Sequence, residues 1–327
     1  MKARQIDKVI LEKVLALAEA HPPIKQTLLK SSIVTGGCIA SMLLKEKVND
    51  YDIYFDSLPA LVEVMEYFGN KTDALYLVAF DENAETPEHN RIELPSEDDE
   101  ESAFIVPVPV RGNGMKFAIY SSIAGLRDNT DIKYISLYYK SSGYWAASDK
   151  EKEDAKKDGL SHTIKFASAN AITLTEKVQL VFRFFGPPDE IHRNYDFVHA
   201  TNYWTYGKGL VTNTEALEAI LARELIYKGS RFPLASIFRT RKFIQRGWTL
   251  HIANYVKMAF QLNDLDLTNI HTLREQLTGV DAAYLNGLIW QCEKSNEPIT
   301  SSYVCELVDK LLKGAQEEEP EDGHTDD

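Results

Sequence analysis

The chain's single Gly-Gly pair, Gly36-Gly37, separates two different textures. Ile33-Val34 before it reads as a short buried strand, and Ile39, Met42 and Leu43 after it lie on one side of a short helix. Two glycines at such a junction let the backbone come close to a ligand. They also leave N–H groups at a helix start, where a phosphate is favoured by hydrogen bonding and by the helix dipole. Twelve residues later stands Asp50-Tyr51-Asp52-Ile53-Tyr54, whose alternation predicts a strand with both carboxylates on one face. Adjacent hard oxygen ligands on a rigid element suit Mg²⁺. An acid-x-acid pair alone says little: with 49 acids in 327 residues, chance gives roughly seven. Its position after the glycine turn is what makes it informative.

The same strand–helix alternation runs through the first half of the chain. Residues 4–20 carry Ile6, Val9, Ile10, Val14, Leu15 and Leu17 at helical spacing, ending before His21-Pro22-Pro23. Residues 58–68 return to helical spacing and 74–80 to a strand pattern. Further strands are expected over 104–110, 115–119 and 132–139, with two more over 163–175 around Ala169-Asn170. Residues 149–158 read as helix or exposed loop, 178–185 as strand, 187–190 as the start of a short helix and 197–203 as strand. From about residue 210 the pattern is helical, over 214–227, 234–245, 250–262, 279–292 and 300–313. The expected fold class is α+β, a mixed sheet with helices in a domain over 1–208, an all-helical domain over 209–314 and a disordered acidic tail over 315–327.

Charge is unevenly placed. The net of −13 comes from an acidic loop at 81–101, which carries −9, and from the tail, which carries −7, leaving +3 elsewhere. Residues 223–246 hold seven bases against one acid. Such a band suits a phosphate-bearing ligand, or it is a solvated helix face paired with the acidic segments. Cys38, Cys292 and Cys305 form no Cys/His cluster and fit packed thiols in a reducing compartment. No apolar run approaches the ~18–20 residues of a membrane span, so a cytoplasmic protein without a membrane partner is expected.

Gly36-Gly37 followed at twelve residues by Asp50-x-Asp52 resembles the signature of the DNA polymerase β-like nucleotidyltransferase superfamily, and the whole is similar to uncharacterised phage members of it. That resemblance implies a catalytic core over 1–208 with strands and an acidic loop inserted. It implies two Mg²⁺ or Mn²⁺ ions on Asp50, Asp52 and a third carboxylate, Asp196, in the "aromatic-Asp" strand Tyr195-Asp196-Phe197. It further implies a nucleoside triphosphate held by Gly36, Gly37, Ser41, Lys228 and Arg239. The implied reaction is transfer of a nucleoside monophosphate to an acceptor hydroxyl, an RNA end, a protein or a small molecule, with release of pyrophosphate. The Arg-Asp that CCA-adding members carry is replaced by Ala40-Ser41, which disfavours CCA addition. A catalytically idle binding or regulatory protein of the same fold is the alternative.

Plainer readings stand beside these. Asp50 and Asp52 can be exposed strand-end acids, Asp196 a cap or ion-pair partner, Ser41 a plain helix serine and His199 a packed histidine. Tyr203, Trp204 and Tyr206 either stack a base or close the core.

Overall fold

A computed structural model describes residues 1–80, 103–107, 116–139 and 144–269, with isolated positions between 272 and 309. Two units divide the chain: Met1–Asn194 with His199–Ile220, and Tyr195–Val198 with the chain from Leu221 onward.

The first unit is built on an eight-stranded mixed sheet in the order β12-β11-β1-β2-β10-β9-β8-β7. In chain order these strands are β1 (Ser32–Thr35), β2 (Tyr51–Phe55), β7 (Tyr144–Ala146), β8 (Ile164–Ser168), β9 (Ala171–Leu174), β10 (Val178–Phe185), β11 (Tyr203–Thr205) and β12 (Gly209–Val211). Only the β2–β10 pair is parallel among the ladders of this sheet. A second, antiparallel sheet has the order β4-β5-β3-β6, from β3 (Leu75–Ala79), β4 (Ala103–Pro107), β5 (Lys116–Tyr120) and β6 (Tyr134–Tyr138).

The registers explain which face is core. Trp204, Val34, Ile53, Leu180, Ile172 and Ala167 lie opposite one another across six strands. All six are buried in one hydrophobic cluster. One residue further along, Tyr203, Thr35, Asp52, Gln179 and Thr173 form a second row, and the period of two points it to the other face. The apolar row packs with helices α1 (Ala3–Ala20) and α4 (Leu58–Gly69), whose Ile6, Ile10, Val14, Leu17, Leu61, Val64, Met65 and Phe68 are fully buried. Their spacing is the periodicity expected from the sequence.

Other elements follow local chemistry. Helix α3 (Gly37–Leu44) follows β1 directly. The expected helix-or-loop over 149–158 is helix α5 (Asp149–Lys157), closed by a capping box between Ser148 and Glu151. A short α6 (Pro188–His192) starts at the expected proline. The strand expected over 197–203 is confined to Tyr203–Thr205, because Val198–Ala200 curls into a 3₁₀ turn. Helix α2 (Lys25–Ser31) and the β11–β12 hairpin had no sequence expectation. In the second unit are α8 (Pro233–Gln245) and α9 (Ile252–Asn263), while α7 (Thr214–Ala222) ends five residues short of its expected end. There Phe197, Tyr227 and Trp248 are buried, and Phe243 meets both Phe197 and Trp248 edge-on. Bridges Phe197–Tyr227 and Glu224–Thr249 mean this unit is not wholly helical. The acidic loop 81–101, the helix expected over 279–292 and the tail 315–327 lie outside the described residues. Of the helix expected over 300–313 only isolated positions are described.

A hydrogen-bonded relay runs inward from the surface to the residue that ends α1. Lys71 Nζ donates to Tyr67 Oη at 2.9 Å, and the Tyr67 hydroxyl donates to His21 Nδ1 at 3.2 Å. His21 Nε2–H then donates to the His162 carbonyl at 3.1 Å. This order requires neutral His21, and burial, followed by the Lys71 charge, holds its pKa down to about 4. The unfolded chain takes up that proton near pH 6.5, so the folded state loses stability as pH falls from there towards 4. Burial of Asp52 acts in the opposite sense over the same pH range, so the expected outcome is a difference: in thermal melts at pH 7.5, 6 and 5 the wild-type midpoint falls relative to that of His21→Gln.

Candidate functional site

The end of β1 is held by main-chain and buried polar contacts. Gly36 has φ 96° and ψ −156°, a conformation that essentially only glycine adopts. Its N–H donates to the Ala200 carbonyl at 3.2 Å, so one amide that the sequence left for a ligand is used by the protein itself. Thr35 Oγ1 donates to the Asn202 carbonyl at 2.8 Å and accepts from His192 Nε2–H at 2.8 Å. Gly37 opens α3 with no heavy atom within 4 Å of where a Cβ would stand. Accordingly Gly36→Ala is expected to cost about 1–3 kcal/mol, while Gly37→Ala leaves stability unchanged or slightly raised. Denaturant titration of the two variants distinguishes them.

Asp52 lies across the ladder from Thr35 and beside Gln179 on β10. Asp50 precedes β2 and is exposed, whereas Asp52 is half-buried in crowded surroundings that leave part of its surface accessible. It is therefore not the exposed strand-end acid of the plainer reading. Burial first, and then the Asp50 charge, push the Asp52 carboxyl up to about 7. The Cys38 thiol behind it is fully buried and pushed far above its usual range by burial and the Asp52 charge, so it is an inert packing group. Near neutral pH, Asp52 is thus poised to exchange a proton beside an accessible carboxylate. A folded-state pKa above the unfolded one means stability falls as pH rises from about 4 to about 7. Asp52→Asn, which removes that charge, is expected to melt higher than the wild type at pH 8 and to show little gain at pH 5. The scale is about 2–4 °C per kcal/mol for a unit of this size.

The remaining expected site residues fall elsewhere. Asp196 belongs to the second unit and lies in a bend, not on a strand. Its carboxylate, 15% exposed, is paired with Arg239, which is the ion-pair role and not that of an open metal ligand. Lys228 is exposed, and its N–H donates to the Asp196 carbonyl at 2.9 Å. Ser41 is buried in α3. Among the described residues no three His, Cys, Asp or Glu side chains group closely enough to hold a metal ion. Trp204 is core, its indole N–H donating to Asp7 at 2.8 Å; Tyr203 is half-buried and Tyr206 exposed. His199 is a buried histidine, as the plainer reading had it. Cys305 is exposed, against the expectation of a packed thiol, and Cys292 lies outside the described residues.

Sequence reasoning missed His192 and Asn202, which anchor the glycine turn. The only signal was a histidine ending a Pro-led helix, and nothing in spacing links it to Thr35, 157 residues away.

Comparison with known proteins gives the family. The model of the Gabija anti-defense 2 family matches residues 5–223, two-thirds of the chain. A curated protein named "Gabija anti-defense 2", from Bacillus phage SPbetaL7, is 21% identical over 202 residues, which is 61% of this chain and 50% of that protein. The chain thus spans about half the length of the curated relative it matches. No solved structure matches. The chain belongs to the Gabija anti-defense 2 family.

That membership overturns the polymerase β-like nucleotidyltransferase assignment, and with it nucleotidyl transfer and the magnesium and ATP that the resemblance implied. The triphosphate and RNA partners came with the same resemblance and have no other support. The mixed α+β architecture stands, and the phage resemblance agrees with the source of the relative. No described helix is long and apolar enough to cross a membrane.

Proposed function

We propose that this chain, as a Gabija anti-defense 2 family member, counteracts the Gabija defense system of a bacterial host. The observation that carries the reading is the family match over residues 5–223, which coincides with the sheet-bearing unit and includes its acid pair. The relative from Bacillus phage SPbetaL7 carries the same anti-defense name, and this chain aligns with half of its length. Within that unit, Asp50 and Asp52 supply the chemically poised group. The acid pair either participates in the anti-defense action or leaves it to surface contacts, and one experiment separates the two.

Expression of the chain in Gabija-carrying cells is expected to restore plating of a Gabija-sensitive phage. Cells lacking Gabija serve as the control. An Asp50→Asn/Asp52→Asn variant that keeps its melting transition but loses rescue by about tenfold or more would tie the action to the acid pair. Full rescue by that variant would assign the action to surface contacts. Absence of rescue by the wild type would refute the proposed function.

A further inference from the structure

Strands β7 and β8 are antiparallel neighbours that a turn of about two to five residues could join, yet residues 147–163 stand between them. Helix α5 occupies more than half of this excursion, and none of its residues is buried. It is stabilised from within, by its capping box and by the pairs Lys152–Asp149, Lys157–Asp154 and Lys157–Glu153 at 2.9, 3.9 and 4.0 Å. Among the described residues, the hydrogen bonds and ion pairs of residues 148–161 all stay within 148–162.

The excursion is fastened to the rest of the unit at His162. Its side chain is 2% exposed, and its carbonyl accepts the Nε2–H of His21, itself 6% exposed and packed edge-on against Phe68. The fastening holds His162 at φ 57°, a left-handed conformation that residues with a Cβ adopt at a cost. His162 Nδ1 lies 3.1 Å from Ser161 Oγ, while its Nε2 is buried with no hydrogen-bond partner among the described residues.

Other groups reach the two rings from α4, α1 and the β9–β10 turn. Lys71 and Tyr67 of α4 face His21, whereas Lys13 of α1 and Glu176 of the turn face His162. Both lysines oppose a positive ring, each acts after burial itself, and Glu176 favours one. A proton on His162 Nε2 would leave a charged N–H in the interior without an acceptor. A proton on His21 Nδ1 would take the place of the bond from Tyr67, beside Lys71.

We propose that His21 and His162 form an acid-released latch. With both rings neutral, residues 148–162 are held against the sheet-bearing unit, and a proton on either ring frees them, together with α5, while the sheets stay paired. The latch stands independently of the anti-defense reading. Opening returns the rings to water, where histidine titrates near 6.5. Burial lowers both values in the closed form, His21 to about 4, so the closed form is favoured above pH 6.5 and opening becomes easier as pH falls below it. Between pH 7.5 and 5.5 the opening constant rises by up to about tenfold for each ring released.

The test labels the full chain with diethyl pyrocarbonate at pH 7.5, 6.5 and 5.5 and reads each histidine by peptide mass. The reagent attacks neutral imidazole, so exposed His251 gives the intrinsic rate at each pH. Buried His192, in the same unit, reports loss of the whole fold. The His162 rate, divided by that of His251, is expected to rise about fivefold or more from pH 7.5 to 5.5, with no such rise at His192. In His21→Gln, whose amide can still donate to the His162 carbonyl but takes up no proton, the rise is expected to shrink by a factor of about two or more. The wild-type comparison decides the latch without any variant: a flat His162 ratio overturns it, and so does an equal rise at His192. A rise undiminished in folded His21→Gln overturns the pairing of the two histidines.

Discussion

The register of three neighbouring strands, β1, β2 and β10, constrains everything else in the sheet-bearing unit. It sets Val34, Ile53 and Leu180 into the core and Thr35, Asp52 and Gln179 onto the other face. A slip of one residue on β2 would exchange Ile53 for Asp52 and place a carboxylate in the hydrophobic cluster. Since an unpaired buried charge costs several kcal/mol, the register has no close competitor. The β2–β10 pair is parallel, and parallel neighbours cannot be joined by a tight turn. The chain between Phe55 and Val178 is accordingly a long crossover, and the whole second sheet and β7, β8 and β9 are housed in it. A crossover needs only about a dozen residues, so the second sheet and β7 to β9 are carried within a connection far longer than the central pairing demands.

That register also explains why the most perturbed acid is where it is. Asp52 cannot leave the row without dragging Ile53 out of the core, so it stays where burial and Asp50 both disfavour its charge. Its neighbours relieve little of this: Thr35 already spends its hydroxyl on Asn202 and His192, and Cys38 is a buried thiol with no charge to offer. By contrast His21, equally constrained, is satisfied as a neutral ring by a donor on one side and an acceptor on the other. One site has its polar demand met within the protein and is structural. The other is left favouring its protonated form, which is the property that separates a candidate functional acid from a packing one.

Much of the fold was legible because it is written in periodicity. The helical spacing of Ile6, Ile10, Val14 and Leu17 and the alternation of residues 51–55 are direct imprints of burial, and both elements appear within a residue of their expected ends. Legibility failed where an element is short or is specified by distant partners. Residues 197–203 have the aromatic and β-branched content of a strand, yet Gly36 and Thr35 take up the Ala200 and Asn202 carbonyls, and the segment before Tyr203 turns instead. The site reading had the same limit. Gly-Gly, twelve residues and Asp-x-Asp describe a strand, a tight turn, a helix and a returning strand, and that local geometry is present. It is geometry that any chain entering a sheet through an antiparallel strand pair can use, so it did not fix the family. Asp196 fitted the expected order of elements but is held by Arg239, a contact 43 residues away that no spacing rule predicts.

Helix α9 carries the argument one step further. Its apolar residues gave the right secondary structure from sequence, but periodicity identifies a helix without saying which face looks inward. The inward face was decided by backbone groups of residues 225–230, which need acceptors and donors that a methyl group cannot supply. Asn254 and Gln261 provide them, and a polar face that is bound to main chain is as firmly committed to the interior as a leucine row would be. An apolar ridge exposed for that reason does not reflect a weak core: Met258 on the same helix is fully buried beneath it. The exposure of Ile252, Val256 and Phe260 is thus fixed by the polar contacts on the opposite face of the helix.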